Sequence, residues 1–326
     1  MKENSRNKKR TALLILMLVL SLMIYMLSAD NRLFATAAQV VGACSLILYC
    51  LWEGRARVFL SAALIVLMTA AGLFIANDPI DALLFTLSFA LPGLCIGISI
   101  KRGRDFAEYM ILGAALLLLV SILSVIHDLD LAGLPRTVDA AVDYLMEPSM
   151  DMLSRYTAMP GVQSNVTLET LASVMRQTAI GSFVAAVFLE IFFAYTLAGA
   201  LNYALDFKRP GFFESLKLFN ISRVGGIIFI ICSIVNIWTA GENPNIFASN
   251  LYTILEYPLA LGGAATIYRF LSMYGAKKQT KRTVTAIVCI LTVLPVLNIA
   301  AIVSYIGALN AIIPFTMPKE GPPEKK

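Results

Sequence analysis

Apolar spans of about 18 or more residues recur along this chain, and they constrain its fold more tightly than any other feature. Lipid offers no partner to a backbone N–H or C=O, so such a segment crosses a hydrocarbon core of about 30 Å as a helix that closes its own hydrogen bonds. Spans are read near residues 11–28, 33–51, 58–76, 80–100, 106–126, 178–205, 224–239, 247–273 and 283–313. Hydrophobic residues make up 58% of the chain and charged residues 14%, against roughly 25% charged in a soluble domain. The expected fold is therefore an all-α polytopic transmembrane bundle of about nine helices.

The chain divides accordingly. A basic N-terminus (1–10) leads into a first transmembrane block of about five helices (11–126). An acidic amphipathic segment (127–177) follows, then a second block of about four helices (178–313) carrying a short interfacial helix (207–222), and a tail (314–326). The first apolar run is longer than the usual 7–15 residues of a signal peptide core, and Leu27-Ser28-Ala29 is a poor cleavage site, so it is read as a retained helix.

The formal charge of +5 encodes orientation and gives no reason to expect nucleic acid. Sorting the loops alternately to two sides places Lys2, Arg6, Lys8, Lys9, Arg10, Arg55, Arg57, Lys101, Arg102, Arg104, Lys208, Arg209, Lys217, Arg223, Lys277, Lys278, Lys281 and Arg282 together. The opposite loops hold Arg32, Arg136, Arg155 and Arg176. The positive-inside rule then puts the N-terminus in the cytoplasm of a cell whose cytoplasmic membrane holds the protein.

Two segments interrupt the spans. In 127–177 the apolar residues Val138, Ala141, Val142, Leu145, Leu153 and Tyr156 recur at helical spacing among acids, which predicts an amphipathic helix lying on the outer face or capping the bundle. In 206–222 Phe212, Phe213, Leu216 and Phe219 share one face beside Lys208, Arg209 and Lys217. This suits either a surface anchor on anionic headgroups or a docking site for a partner.

Inside the spans, Pro92, Pro258 and Pro295 are expected to interrupt helices and free backbone carbonyls. The last run, 283–313, would be about 46 Å long as one helix, so it either kinks or folds back at Pro295 as a hairpin. Ala194 and Ala198, Ala200 and Ala204, and the run Gly262 to Ala265 give small faces for close helix packing. All five cysteines lie in apolar spans without a paired spacing and read as small hydrophobes.

Glu190 and Glu256 stand at membrane depth, where a charge is costly. Two readings are open. They bind a cationic or polar solute or carry protons, in a cavity shared with Pro92, Tyr257, Pro258, Asn236 and Asn298; or each hydrogen-bonds an Asn, Ser or Tyr of a neighbouring helix, such as Asn236, Asn250 or Asn298. The single histidine, His127, excludes H-E-x-x-H, and neither a G-x-S-x-G elbow nor a phosphate loop occurs. No enzymatic activity, cofactor or metal is expected.

From about residue 80 onward the order of short features resembles the YybS-like (DUF2232) family of predicted multi-pass membrane proteins. Those features are Leu91-Pro92-Gly93 before Lys101-Arg102, Phe212-Phe213 before Leu218, Asn250-Leu251 leading through Leu261-Gly262-Gly263 to Phe270-Leu271, and Ser304-Tyr305-Ile306-Gly307 after Pro295. That family is distantly similar to the substrate-binding S components of energy-coupling factor transporters. The resemblance implies capture of a small solute and a partnership with an ATPase-driven scaffold. The alternative is a structural or regulatory scaffold that recruits envelope proteins through its surface helices.

Overall fold

A computed structural model describes residues 2–26, 32–52, 78–157, 168–206, 219, 221–239, 245–293 and 299–314. Among them every regular element is an α-helix: α1 (Lys2–Met26), α2 (Arg32–Trp52), α3 (Pro79–Lys101), α4 (Phe106–Leu131), α5 (Val138–Thr157), α6 (Leu168–Asp206), α7 (Arg223–Thr239), α8 (Ile246–Met273), α9 (Lys278–Val293) and α10 (Ile299–Ile312). Four stretches, Phe34–Trp52, Pro79–Lys101, Glu108–Leu131 and Ala172–Ala204, are long and apolar enough to cross a membrane; Ala12–Tyr25, Arg223–Thr239 and Ile299–Ile312 are shorter apolar helices. The expected third span, 58–76, lies outside the described residues.

Helix boundaries differ from the sequence reading where polar residues continue a helix. At its start α1 incorporates the basic stretch, and α4 runs on through His127 to Leu131. With 39 residues, α6 begins ahead of its apolar core at Leu168 and is about 58 Å long. The amphipathic helix expected in 127–177 is α5, with Val142 buried beneath it.

The chain forms two compact units, Met1–Asp151 with Ala186–Arg209, and Met152–Ala185 with Pro210–Lys326. Glycine sets the spacing in the first. Gly42 faces Phe89, Gly93 meets Ala43 and Leu46, and Gly97 meets Cys50 and Ile47. This steady register shows that α2 and α3 run in the same sense, the relation the alternating scheme requires of its second and fourth spans. A Cβ on Gly93 would lie 2.9 Å from the Ala43 carbonyl oxygen, too close for any larger residue. α4 is antiparallel to its neighbours. Ile96 of α3 packs at Gly113, Ile191 of α6 lies beside the same glycine, and the rings of Phe106 and Tyr109 meet Tyr195 at 5.2 and 5.5 Å.

In the second unit α7 is antiparallel to both α8 and α10. Against α8, Asn236 pairs with Ser249, Phe229 stacks on Tyr252, and Ile221, just before α7, sits beside Gly262. Against α10, Gly226 lies by Ala308 and Ala311, while Phe229 and Ser233 meet Tyr305. Within the last apolar run α9 and α10 are helical, and Pro295 falls in 294–298, outside the described residues. Gly275, at φ +69°, closes α8 in the left-handed conformation that glycine tolerates, and Ala276 N–H returns to the Leu271 carbonyl.

Pro92 and Pro258 sit inside continuous helices, correcting the expectation of broken spans. The five cysteines are free thiols, with Cys44, Cys50 and Cys232 buried as small apolar groups.

The tightest packing joins α8 and α10, where a Cβ at Gly307 would collide with the Leu259 carbonyl and one at Gly263 with that of Val303. Gly307→Ala should lower stability in detergent by about 1–3 kcal/mol, as overpacking does. Gly199 has nothing within 4 Å of its Cβ position. Gly199→Ala should be neutral or slightly stabilising in the same thermal melt.

Candidate functional site

Helix α8 starts cleanly because Asn245 caps it, its side-chain oxygen accepting from Ala248 N–H at 3.0 Å. From there Ser249, Tyr252, Glu256, Leu259 and Gly263 recur at three- and four-residue steps on one face. Ser249 donates to Asn236 at 3.1 Å, and Tyr252 stacks on Phe229 with ring centroids 4.7 Å apart. Leu259 is fully buried with Phe229 and Ala308. The edge of Tyr305 meets Phe229, and its hydroxyl bonds the hydroxyl of Ser233. Glu256 stands half-buried within this row, one turn from Tyr252, and has no hydrogen-bond or ion-pair partner among the described residues. Tyr257 and Pro258 follow it, both half-buried. With no N–H of its own, Pro258 leaves the Ile254 carbonyl without its helical donor.

Glu190 belongs to the first unit. It lies on α6 between Val187 and Ile191, both buried, and is itself half-buried with no hydrogen-bond or ion-pair partner among the described residues. The described hydrogen bonds of the amides nearest in type go elsewhere. Asn250 donates to the carbonyls of Gln177 at 2.6 Å and Ile246 at 2.8 Å and accepts from Gly181 N–H at 2.5 Å, so it clamps α8 to the first half of α6. Asn236 accepts from Ser249, and Asn202 accepts from Trp52 at 2.8 Å. Asn298 lies outside the described residues. Pro92, also in the first unit, is buried beside the Gly93 approach and serves helix packing there.

Of the surface face expected in 206–222, Phe212, Phe213 and Leu216 lie outside the described residues. Phe219 is buried, and its carbonyl accepts from the Arg269 guanidinium at 2.7 Å.

One constellation was not legible in the sequence. At one end of the first unit four helices bring acids and donors together. Tyr25 of α1 donates to Asp81 at 2.6 Å, His127 of α4 lies 2.5 Å from Asp78, and Tyr144 of α5 donates to Asp128 at 3.1 Å. Arg136 pairs with Asp130 beside them. Asp78 also caps α3, accepting from Ile80 N–H at 2.8 Å. The pair Asp78 and Asp81 at the start of α3 is far along the chain from the pair Asp128 and Asp130 of α4, so only the fold joins the two. Tyr144 at helical spacing with Val138, Ala141 and Val142 was the one available signal. Among the described residues, no group of three or more His, Cys, Asp or Glu side chains could hold a metal ion.

The opposite end of this unit is basic and aromatic. There Arg10 lies over the Trp52 ring, 5.5 Å from its centroid, and Trp52 reaches Asn202.

Two outcomes follow. Asn250→Ala removes three hydrogen bonds that join α8 to α6 and to its own first turn, and should lower stability by about 0.6–2 kcal/mol, read from the unfolding midpoint in detergent. The Ile80 N–H, and then His127, hold the Asp78 carboxyl below its ordinary value of 3.8. A carboxyl depressed on folding adds stability above its ordinary pKa, and that contribution is lost as pH falls through the folded value. The thermal midpoint of the wild type should therefore drop more steeply below about pH 4 than that of Asp78→Asn, and parallel curves would contradict the assignment.

No curated protein and no solved structure matches the chain. All-helical, with several helices long and apolar enough to cross a bilayer, the chain matches the model of the DUF2232 family of predicted membrane proteins over residues 19–309, and it belongs to that family.

Proposed function

We propose that this membrane protein is a non-enzymatic component that binds a small solute or assists its transport across the cytoplasmic membrane. One observation carries the reading: Glu256 stands half-buried on α8, one turn from Tyr252 and next to Tyr257, with no hydrogen-bond or ion-pair partner among the described residues. An ionisable group at membrane depth is expensive, and its cost is met by a partner, a proton or a ligand. A carboxylate flanked by phenol rings suits a cationic or hydrogen-bond-donating solute. Glu190 offers a second carboxyl of the same kind in the other unit.

The ends of the first unit support the orientation proposed here. Arg10 and Trp52 mark one end and Asp78, Asp81 and Asp128 the other, which suits a basic end, with the N-terminus, on the cytoplasmic side. The sole histidine is engaged with Asp78, away from either carboxyl in sequence. An ATPase-driven scaffold is the partner such a component needs for uptake. A second reading, a scaffold that recruits envelope proteins, draws on α5, whose Asp139, Asp143 and Glu147 are exposed while Val142 packs inward.

The discriminating experiment extracts the tagged protein from native membranes in mild detergent and compares the small molecules retained by wild type, Glu256→Gln and Glu190→Gln at equal expression. A near-stoichiometric molecule held by the wild type and depleted at least ten-fold in Glu256→Gln supports the solute reading. Identical profiles in all three proteins, with envelope proteins retained through α5, would replace it with the scaffold.

A further inference from the structure

The far end of α8 carries chemistry that the solute site does not use. Phe247 and Tyr274, at the two ends of this helix, are each 75% exposed. They are separated by about 40 Å at 1.5 Å per residue, close to the full thickness of a bilayer with its headgroups. Trp238, 87% exposed at the end of α7, shares the Phe247 end, while Phe270 and Met273 are exposed near Tyr274. Exposed aromatics at both ends place those ends at the two membrane–water interfaces.

At the Tyr274 end the cations gather. Between Glu256 and Lys319 the sequence contains Arg269, Lys277, Lys278, Lys281 and Arg282 and no acidic residue. The Gly275 turn folds the start of α9 back beside α8, which brings Lys281 over the Tyr268 ring, 5.7 Å from its centroid. Arg269 spends one guanidinium nitrogen on the Phe219 carbonyl, and its Nε is buried without a hydrogen-bond partner among the described residues. Lys277 and Lys278 are exposed at the turn. The tilted ring pair Phe270 and Tyr274, with centroids 4.7 Å apart, forms an apolar shelf beside these charges.

We infer that the end of α8 and the first turns of α9 form a binding site for the headgroup of an anionic phospholipid, its phosphate among Lys277, Lys278, Lys281 and Arg282 and its acyl chains along Phe270, Met273 and Tyr274. The charge pattern selects this occupant: the segment holds several cations and no carboxylate of its own, and it lies where phosphate headgroups are the surrounding medium. Exposed apolar rings next to the charges suit a two-part ligand, a phosphate attached to hydrocarbon, better than a free anion. The inference is independent of the solute reading, because none of these residues belongs to the Glu256 row.

The test uses the full chain in neutral detergent. Its thermal midpoint is followed during titration with phosphatidylglycerol, with phosphatidylcholine and with inorganic phosphate. Saturable stabilisation by phosphatidylglycerol alone is expected, with the apparent affinity falling about five-fold for each cation removed. Lys277→Gln/Lys278→Gln alters exposed side chains, so it keeps the packing and should weaken binding about 25-fold. The Lys281→Gln/Arg282→Gln pair should do at least as much, and Lys281→Arg should retain wild-type binding. Equal stabilisation of wild type and Lys277→Gln/Lys278→Gln, or a phosphatidylcholine effect as large as that of phosphatidylglycerol, would overturn the site. Inorganic phosphate reproducing the whole shift would also overturn it, as a nonspecific anion effect.

Discussion

Hydrocarbon offers no hydrogen-bond partner, and most of this structure follows from that single deficiency. Backbone groups must be closed within helices, which is why the described residues form no other regular element. Polar side chains must find partners inside the protein, so Asn250 makes three hydrogen bonds to α6 and its own helix, and the hydroxyls of Ser21, Thr86, Ser88 and Thr266 donate to backbone carbonyls. With no hydrophobic force to join helices in lipid, close contact comes from small residues. Gly42, Gly93 and Gly97 let α3 approach α2 and its surroundings, and Gly263 and Gly307 bring the backbones of α8 and α10 together. Against this background Glu256 stands out as a carboxyl with no hydrogen-bond or ion-pair partner among the described residues, and it is the group that the proposed function assigns to a solute.

Polarity is arranged by depth. In the first unit the acids Asp78, Asp81 and Asp128 meet Tyr25, His127 and Tyr144 at one end, while Arg10, Trp52 and Asn202 meet at the other. In the second, exposed aromatics mark both ends of α8, with cations beyond one of them. Between these ends lie the two half-buried carboxyls, each in its own unit.

The helices were legible because length and apolarity alone decide them. α3, α4 and α8 begin within about three residues of the positions that their apolar runs suggest. Boundaries were less legible where a helix continues into polar sequence, as α6 does toward Leu168, since nothing in composition forbids such an extension. Proline misled. Pro92, buried, and Pro258, half-buried, sit inside continuous helices, and Pro295 lies outside the described residues. The candidate carboxyls were visible as charges in apolar spans. The Asp78–His127 pair was not, because its members are 49 residues apart and no local pattern links them. Nor could sequence show which groups Asn250 and Asn236 bond, since their partners Gly181, Gln177 and Ser249 are set by the fold.

The central claim is that Glu256 is held open for a solute. An experimental density map of the protein, purified from native membranes and placed in lipid nanodiscs, tests it most directly. The account predicts non-protein density within hydrogen-bonding distance of the Glu256 carboxyl, bordered by Tyr252 and Tyr305. A carboxyl closed onto a protein side chain, with no such density, would contradict it and return Glu256 to helix packing.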